Sequence, residues 1–180
     1  MTNFEFMEAA ERKGKECWDK LQERSHLVRP YPKFSFDLRG RAAGEARGGH
    51  SISLNMGFVA RYADDMINQT VPHEIVHCWL YAIGDPSHVV NYEQSLSNFM
   101  YGGRRTKRSP HGQTFMYTLG TLGCRQERTH SFDVSEVVNG HKYGCGCPGK
   151  VFVVSTRKHH IIQSGRACWC KRCKVNLHKI

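Results

Sequence analysis

The stretch His73-Glu74-Ile75-Val76-His77 limits the possible folds of this chain more than any other feature. Histidines four positions apart project from the same face of an α-helix, where both imidazoles can bind one zinc ion. The glutamate between them is the residue type that serves as a general base beside such a metal. We therefore predict a helix with His73 and His77 as metal ligands and Glu74 as a catalytic base. The plain alternative is an amphipathic helix whose two histidines lie in or beside the core.

The flanking residues predict where this helix begins and ends. Thr70 is a capping residue type and Pro72 is tolerated in a first helical turn, so both predict a start just before His73. Gly84-Asp85-Pro86 predicts the end. The apolar residues between them form a face wide enough to be buried, and they are Ile75, Val76, Trp79, Leu80 and Ile83.

A tetrahedral zinc ion with two histidines and a water still needs a third protein ligand. The candidates are His88, Glu93 and His111. The extended metzincin pattern is excluded, because Leu80 and Ile83 stand where it requires Gly and His. His88 lies beyond a proline, which disfavours it. Glu93 could supply a carboxylate from a downstream helix, and His111 opens a predicted helix.

Two close cysteine pairs, Cys145-x-Cys147 and Cys170-x-x-Cys173, form a second metal-site pattern. A β-rich stretch separates them, which is how a zinc ribbon presents four thiolates from two turns. A segment of this size has too small a core to fold alone, so we predict a structural zinc ion that supplies folding free energy. Cys168 is the alternative ligand. Cysteine pairs of this kind also indicate a reducing compartment.

The positive charge of the chain is concentrated near its C-terminus. The net charge is +10, and residues 142–180 hold nine Lys and Arg with no acidic residue, whereas residues 1–141 hold 17 basic and 16 acidic residues. Basic side chains that contact phosphates release counterions, so this distribution favours nucleic-acid binding. A solvated basic tail and loop is the alternative. The predicted contact residues are Arg104, Arg105, Lys107 and Arg108 in a Gly-flanked loop, and Lys158, Arg166, Lys171 and Arg172 in the cysteine module.

Three aromatic residues of the cysteine module bear on the type of nucleic acid. Trp169, Phe152 and Tyr143 could stack on unpaired bases, which would favour single-stranded DNA. Each could equally pack the ribbon.

Apolar periodicity and turn residues predict an α+β fold in two parts. Residues 1–138 should form a small antiparallel sheet with helices, and residues 139–180 a basic ribbon. A capping box at Thr2–Glu5 predicts an N-terminal helix to about Arg24. Two or three antiparallel strands are predicted between Tyr31 and Leu54. The remaining predicted elements are helices at 58–67, 91–100 and 115–123, and β-like runs at 151–155 and 161–162.

A series of short motifs extends over almost the whole chain. The motifs are Tyr31-Pro32, Arg39-Gly40, Ala43-Gly44, Ile52-Ser53-Leu54-Asn55, Val71-Pro72-His73-Glu74, Pro110-His111-Gly112, Arg128-Thr129-His130-Ser131-Phe132, Tyr143-Gly144-Cys145-Gly146-Cys147 and Cys170-Lys171-Arg172-Cys173. In this order they resemble the SprT family, and the order is far more specific than the zinc pattern alone. One departure is the interval between His77 and His111, where 33 residues exceed the spacing of the short bacterial members.

The resemblance implies a zinc metallopeptidase domain of minigluzincin type, with His73, His77 and His111 as ligands and Glu74 as the base. It also implies kinship with Spartan, the protease that clears proteins crosslinked to DNA. We therefore expect a peptidase with one catalytic and one structural zinc ion that acts on proteins bound or crosslinked to DNA. The competing hypothesis is a nucleic-acid-binding adaptor with an inactive protease-like scaffold. A metal-dependent nuclease is disfavoured, because such sites use clustered carboxylates.

Two sequence signals bear on the cellular location that we expect for the protein. No apolar run approaches the roughly 18 residues needed to cross a bilayer, and residues 2–5 lack the basic-then-apolar order of a secretory signal. We therefore expect no membrane partner and a cytoplasmic, DNA-associated protein. No feature predicts an oligomeric state.

Overall fold

The computed structural model describes residues 1–86, 88, 110–127, 132–134, 137 and 140–180. Internal packing separates the chain into two units, Met1–Leu38 with Ala42–His130, and Arg39–Arg41 with Ser131–Ile180. A functional boundary between residues 138 and 139 stays a prediction.

Helix α1, Asn3–Ser25, begins at the predicted capping box. The Glu5 backbone N–H donates to Thr2 Oγ1 at 3.2 Å, and the Thr2 backbone N–H donates to the Glu5 carboxylate at 2.7 Å. This pair satisfies two of the donors that a helix start leaves unpaired. One stripe of the helix is buried and forms part of the core of the first unit; its side chains are Phe6, Ala10, Cys17, Trp18 and Leu21.

The first unit has a three-stranded sheet of β1 (Lys33–Ser35), β2 (Gly44–Arg47) and β3 (Ser51–Leu54), in the order β1-β3-β2. Strands β2 and β3 are antiparallel, but β1 and β3 are parallel, with Phe34 opposite Ile52. The prediction of a purely antiparallel sheet is therefore wrong. The tight turn after β2 reverses the chain, and β3 then pairs between the two earlier strands in the same direction as β1.

Helical structure runs almost without interruption from a 3₁₀ turn at Met56–Phe58 through α2 (Val59–Asp65) and a π-helical turn at Met66–Thr70 into α3 (Val71–Ala82). Pro72 lies in the first turn of α3, as predicted. The prediction that Thr70 caps α3 is wrong, because Thr70 is itself helical (φ −68°, ψ −46°) and its side chain makes no capping bond. The π turn supplies the preceding helical residues, so α3 has no free N-terminus to cap.

Helix α3 packs against α1, β2 and a further helix, α4 (Gln113–Thr121). Trp18 of α1 meets Trp79 of α3 edge to face, with ring centroids 5.2 Å apart, and Trp18 is fully buried. The indole N–H of Trp18 donates to the Arg29 carbonyl at 3.1 Å, so its one polar atom is satisfied. From α4, Phe115 and Leu119 complete the core around α3.

The second unit is an antiparallel sheet of β4 (His141–Gly144), β5 (Phe152–Val154) and β6 (His178–Lys179), in the order β5-β4-β6. Helix α5, Thr156–Gln163, follows β5. The prediction of a β-like run at 161–162 is wrong, because Ser155 caps this helix by accepting the Lys158 backbone N–H at 3.3 Å. The buried centre of the unit consists of Tyr143, Val154, Cys170 and Leu177.

Several predictions lie outside the described residues. They are the helix at 91–100, the alternative ligand Glu93, the basic loop residues Arg104, Arg105, Lys107 and Arg108, and the motif segment 128–131.

In the part of the chain that the structure describes, none of the helices combines the length and hydropathy required to span a bilayer.

Gly14 provides a test of the packing of α1. Alanine within a helix is normally more stabilising than glycine by about 1 kcal/mol. A Cβ at Gly14 would lie 2.6 Å from Phe34 Cζ and 2.7 Å from the Tyr31 hydroxyl. We expect Gly14→Ala to lower the free energy of unfolding by about 1–3 kcal/mol in chemical denaturation.

Gly120→Ala in α4 is the matched control. A Cβ there would come closest to the flexible amide end of Gln126, at 2.5 Å. We expect no loss of stability, or a gain of up to about 1 kcal/mol. Equal effects of the two substitutions would contradict the close packing described for Gly14.

Candidate metal centres

Three histidine side chains meet in the first unit. The Nε2 atoms of His73, His77 and His111 lie 3.1–3.2 Å from one another. A tetrahedral zinc ion with nitrogen ligands at about 2.0–2.1 Å keeps neighbouring ligand atoms roughly 3.3–3.4 Å apart. The three nitrogens therefore fit zinc, and the arrangement leaves a fourth position for water.

Two helices bring these rings together. His73 and His77 project from one face of α3, whereas His111 lies in the turn before α4, whose first residue follows the extended Gly112. Phe115 of α4 packs against all three rings, with centroid distances of 4.8, 4.4 and 4.9 Å. The contact between α3 and α4 thus places the third histidine against the first two.

The protonation of His77 suits metal binding. Burial lowers the pKa of His77 to about 2, and the neighbouring histidines add to the effect. Its ring is therefore neutral, with one nitrogen available as a ligand. Its other ring nitrogen, Nδ1, lies 2.8 Å from Nε2 of His88.

His88 is near the three histidines but is not one of the group. The ligand-type atoms that cluster are those of His73, His77 and His111. His88 contacts the far side of the His77 ring, and its Nδ1 lies 3.6 Å from the Asp85 carboxylate. Burial lowers the pKa of His88, and Asp85 opposes that effect.

Glu74 belongs to α3, its side chain extends toward β2, and the residue is 8% exposed. Burial raises its pKa to about 7, against the opposing effect of the Ala46 backbone N–H, which hydrogen-bonds to the carboxylate. A carboxyl group with a pKa near neutrality can both accept and release a proton at physiological pH.

Gly44 makes room for Glu74, a role that sequence reasoning missed. A Cβ at Gly44 would lie 2.8 Å from Glu74 Cγ and 2.9 Å from Thr70 Cγ2. The sequence signal was present in the Ala43-Gly44 motif, but a motif does not reveal which side chain approaches the glycine.

The second candidate centre consists of Cys145, Cys147, Cys170 and Cys173, whose Sγ atoms all lie within 4.8 Å of one another. A tetrahedral zinc ion with sulfur ligands at about 2.3 Å needs separations of roughly 3.8 Å, so this group also fits zinc. Cys168, the alternative ligand, packs beside the group without being part of it. None of the eight cysteines, each of which the structure describes, is in a disulfide bond.

Backbone donors favour ionised sulfur on the second of these pairs. Hydrogen bonds from the backbone N–H groups of Cys173 and Arg172 lower the pKa of Cys170 to about 6. The Val175 backbone N–H likewise lowers the pKa of Cys173. The loop after Cys170 is therefore shaped to hold thiolates, which are the metal-binding form of cysteine.

The comparisons with known proteins address the family of this chain. The family model described as SprT-like matches residues 14–134, a segment that contains the three histidines and Glu74. The chain belongs to the SprT-like family.

Relatives extend the SprT-like match beyond residue 134. Protein SprT of Pseudomonas putida (strain W619) is 25% identical over 164 residues, which cover 89% of this chain and 88% of the relative. Protein SprT of Pseudomonas savastanoi pv. phaseolicola is 28% identical over 149 residues, covering 81% and 79%. Protein SprT of Pseudomonas paraeruginosa is 26% identical over 165 residues, covering 89% and 88%. No solved structure shows a significant match.

The predicted nucleic-acid contacts of this SprT-like chain are described only in the second unit. The side chains of Lys158, Arg166, Lys171 and Arg172 are all exposed. Trp169 is 59% exposed, whereas Tyr143 is 1% exposed and therefore packs the ribbon core.

The two candidate centres predict the metal content of the protein. Elemental analysis should find two zinc ions per wild-type chain, one in His111→Ala and one in Cys170→Ser, because each substitution removes a ligand from one centre only. His50→Ala and Cys124→Ser are matched controls outside both groups and should keep two. A wild-type chain with one zinc ion or none would contradict the prediction.

Proposed function

We propose that this SprT-like protein is a zinc metallopeptidase that cleaves proteins bound or crosslinked to DNA. The observation that carries the proposal is the convergence of three histidine Nε2 atoms at 3.1–3.2 Å from one another, two of them on a helix in which the buried Glu74 directly follows His73. Three nitrogen ligands with an open fourth position are typical of catalytic zinc sites, whereas structural sites use four protein ligands.

Glu74 would act as the general base. Zinc, when bound, supplies the Lewis acidity that activates water and polarises a peptide carbonyl near neutral pH. Glu74 would take the proton of the attacking water and pass it to the leaving amine. Its burial and its contact with the Ala46 N–H support this role, because they restrict the position of the carboxylate and give it a pKa near neutral pH, where a general base is most effective.

The second unit would bind DNA. Lys171 and Arg172 lie in the loop between two of the clustered cysteines, so a metal ion held by those cysteines would fix the loop that carries them. No acidic residue between 142 and 180 opposes the positive charge. The exposed Trp169 offers a stacking surface for an unpaired base. The loop residues Arg104, Arg105, Lys107 and Arg108 are further candidates from sequence alone.

Binding to DNA would select substrates by proximity. A protein bound to the same DNA as the enzyme is presented at a high effective concentration, so weak recognition of its sequence suffices. This accounts for a peptidase unit and a basic unit in one chain.

Glu74→Gln tests the peptidase role directly. We expect this variant to cleave a DNA-bound test protein about 10²–10⁴ times more slowly than wild type, because it lacks the proton acceptor. Zinc content and DNA affinity should be unchanged. Glu45→Gln is the matched control, since Glu45 is a neighbouring exposed carboxylate on β2, and it should retain activity.

The outcomes separate the two candidate functions. Unchanged proteolysis by Glu74→Gln would remove Glu74 from the mechanism. A wild-type protein that holds two zinc ions and binds DNA, yet cleaves no protein with or without DNA, would establish the adaptor hypothesis instead.

The DNA-binding role has its own test, the replacement of Lys158, Arg166, Lys171 and Arg172 by Gln. Each lost phosphate contact should reduce the slope of log affinity against log salt by about 0.7 on single strands, so four contacts reduce it by about 3. The matched control replaces the exposed α1 residues Arg12, Lys15, Lys20 and Arg24 by Gln, which gives the same net charge. Equal losses in both variants, measured by fluorescence anisotropy, would mean that the ribbon charges make no specific contacts.

A further inference from the structure

We propose that His88 is a positioning residue that orients the ring of His77 toward the metal centre, and that Asp85 in turn holds His88. This inference rests on the proposed zinc centre and adds to it a residue that lies outside the three-histidine group.

The end of α3 brings His88 back to the helix. Gly84 has a φ of +77°, a conformation that glycine adopts without strain, and it lets the chain reverse after the last turn of α3. The Asp85 backbone N–H donates to the Leu80 carbonyl at 2.8 Å, and the His88 backbone N–H donates to the Asp85 carbonyl at 2.9 Å. These bonds fix residues 85 and 88 against the C-terminal turns of α3.

The His88 ring is buried, and each of its nitrogens faces a defined neighbour. Its side chain is 5% exposed and stacks on Phe115, with an interplanar angle of 12° and a centroid distance of 6.2 Å. Nε2 lies 2.8 Å from His77 Nδ1, and Nδ1 faces Asp85 Oδ1 at 3.6 Å. The second distance is longer than an ordinary hydrogen bond, but it places the Asp85 carboxylate next to the Nδ1 side of the His88 ring.

The tautomers follow from this geometry. With the proposed zinc ion bound at Nε2 of His77, the proton of this ring must lie on Nδ1, which then donates to Nε2 of His88. His88 accepts with Nε2 only if its own proton is on Nδ1, and that is the tautomer that the Asp85 carboxylate favours. Asp85, His88 and His77 therefore form a chain that ends at a metal-facing lone pair.

This arrangement matches the general behaviour of metal-binding histidines, whose second ring N–H donates a hydrogen bond to a fixed acceptor. It also excludes His88 as an additional ligand of the same ion, because its Nε2 is already directed at the opposite side of the His77 ring.

The zinc affinity of the histidine centre tests the role of His88. The full-length protein is treated with a mild chelator that leaves zinc in the cysteine centre, and zinc is then titrated against a fluorescent competitor. We expect His88→Ala to raise the Kd for this zinc about 10–100-fold. His88→Gln, whose amide oxygen can still accept from His77 Nδ1, should recover part of the loss, and Asp85→Asn should show a smaller loss than His88→Ala.

Controls separate positioning from folding. His50→Ala should leave the zinc Kd unchanged. After zinc depletion, every variant should have the same circular dichroism spectrum and thermal midpoint as the zinc-depleted wild type. With Co²⁺ in the histidine centre, the visible d–d bands should shift in His88→Ala and return toward wild type in His88→Gln.

Two results would overturn the inference in distinguishable ways. If the wild type binds zinc at both centres and His88→Ala keeps the same Kd, the role of His88 is refuted while the proposed function stands. If the wild type binds zinc only at the cysteines, both proposals fail together.

Discussion

The mutual approach of three imidazole nitrogens is the constraint on which the first unit depends. Their Nε2 atoms lie 3.1–3.2 Å from one another, a spacing that suits a single zinc ion with all three as ligands. Packing around the rings supports this arrangement. Phe115 contacts each ring, and burial keeps His77 neutral. The chemistry of the centre is thus a consequence of how α3 and α4 are packed.

Helix α3 can carry this centre because its other faces are firmly packed. Trp79 meets the buried Trp18 of α1, and Glu74 reaches toward β2, where the Ala46 N–H contacts it. The helix therefore joins the hydrophobic core to the polar site. Three of the four candidate site residues lie on this one helix, so a displacement of α3 would disturb the candidate ligands and the candidate base together.

Short-range patterns in the sequence predicted the local features well. The Thr2–Glu5 capping box is confirmed, and the spacing of His73 and His77 and of the cysteines predicted groups that the structure brings together. The errors concern features decided by tertiary structure. The parallel pairing of β1 depends on where β3 inserts, Thr70 is helical because it is the last residue of a π turn, and residues 161–162 are helical because Ser155 begins a helix. The contacts of Gly44 with Glu74 and of His88 with His77 join residues that no local pattern connects.

The position of His111 has a thermodynamic consequence. Two of the clustered histidines lie on α3, but the third lies in the turn before a separate helix, 34 residues after His77. An ion that binds all three stabilises the docked form of α4 by an amount that grows with the logarithm of the free metal concentration. Such an ion would hold two distant segments of the chain together, and its loss would loosen the docking of α4 against α3. The metal-free form of the proposed peptidase would then be the form most open to degradation by other proteases.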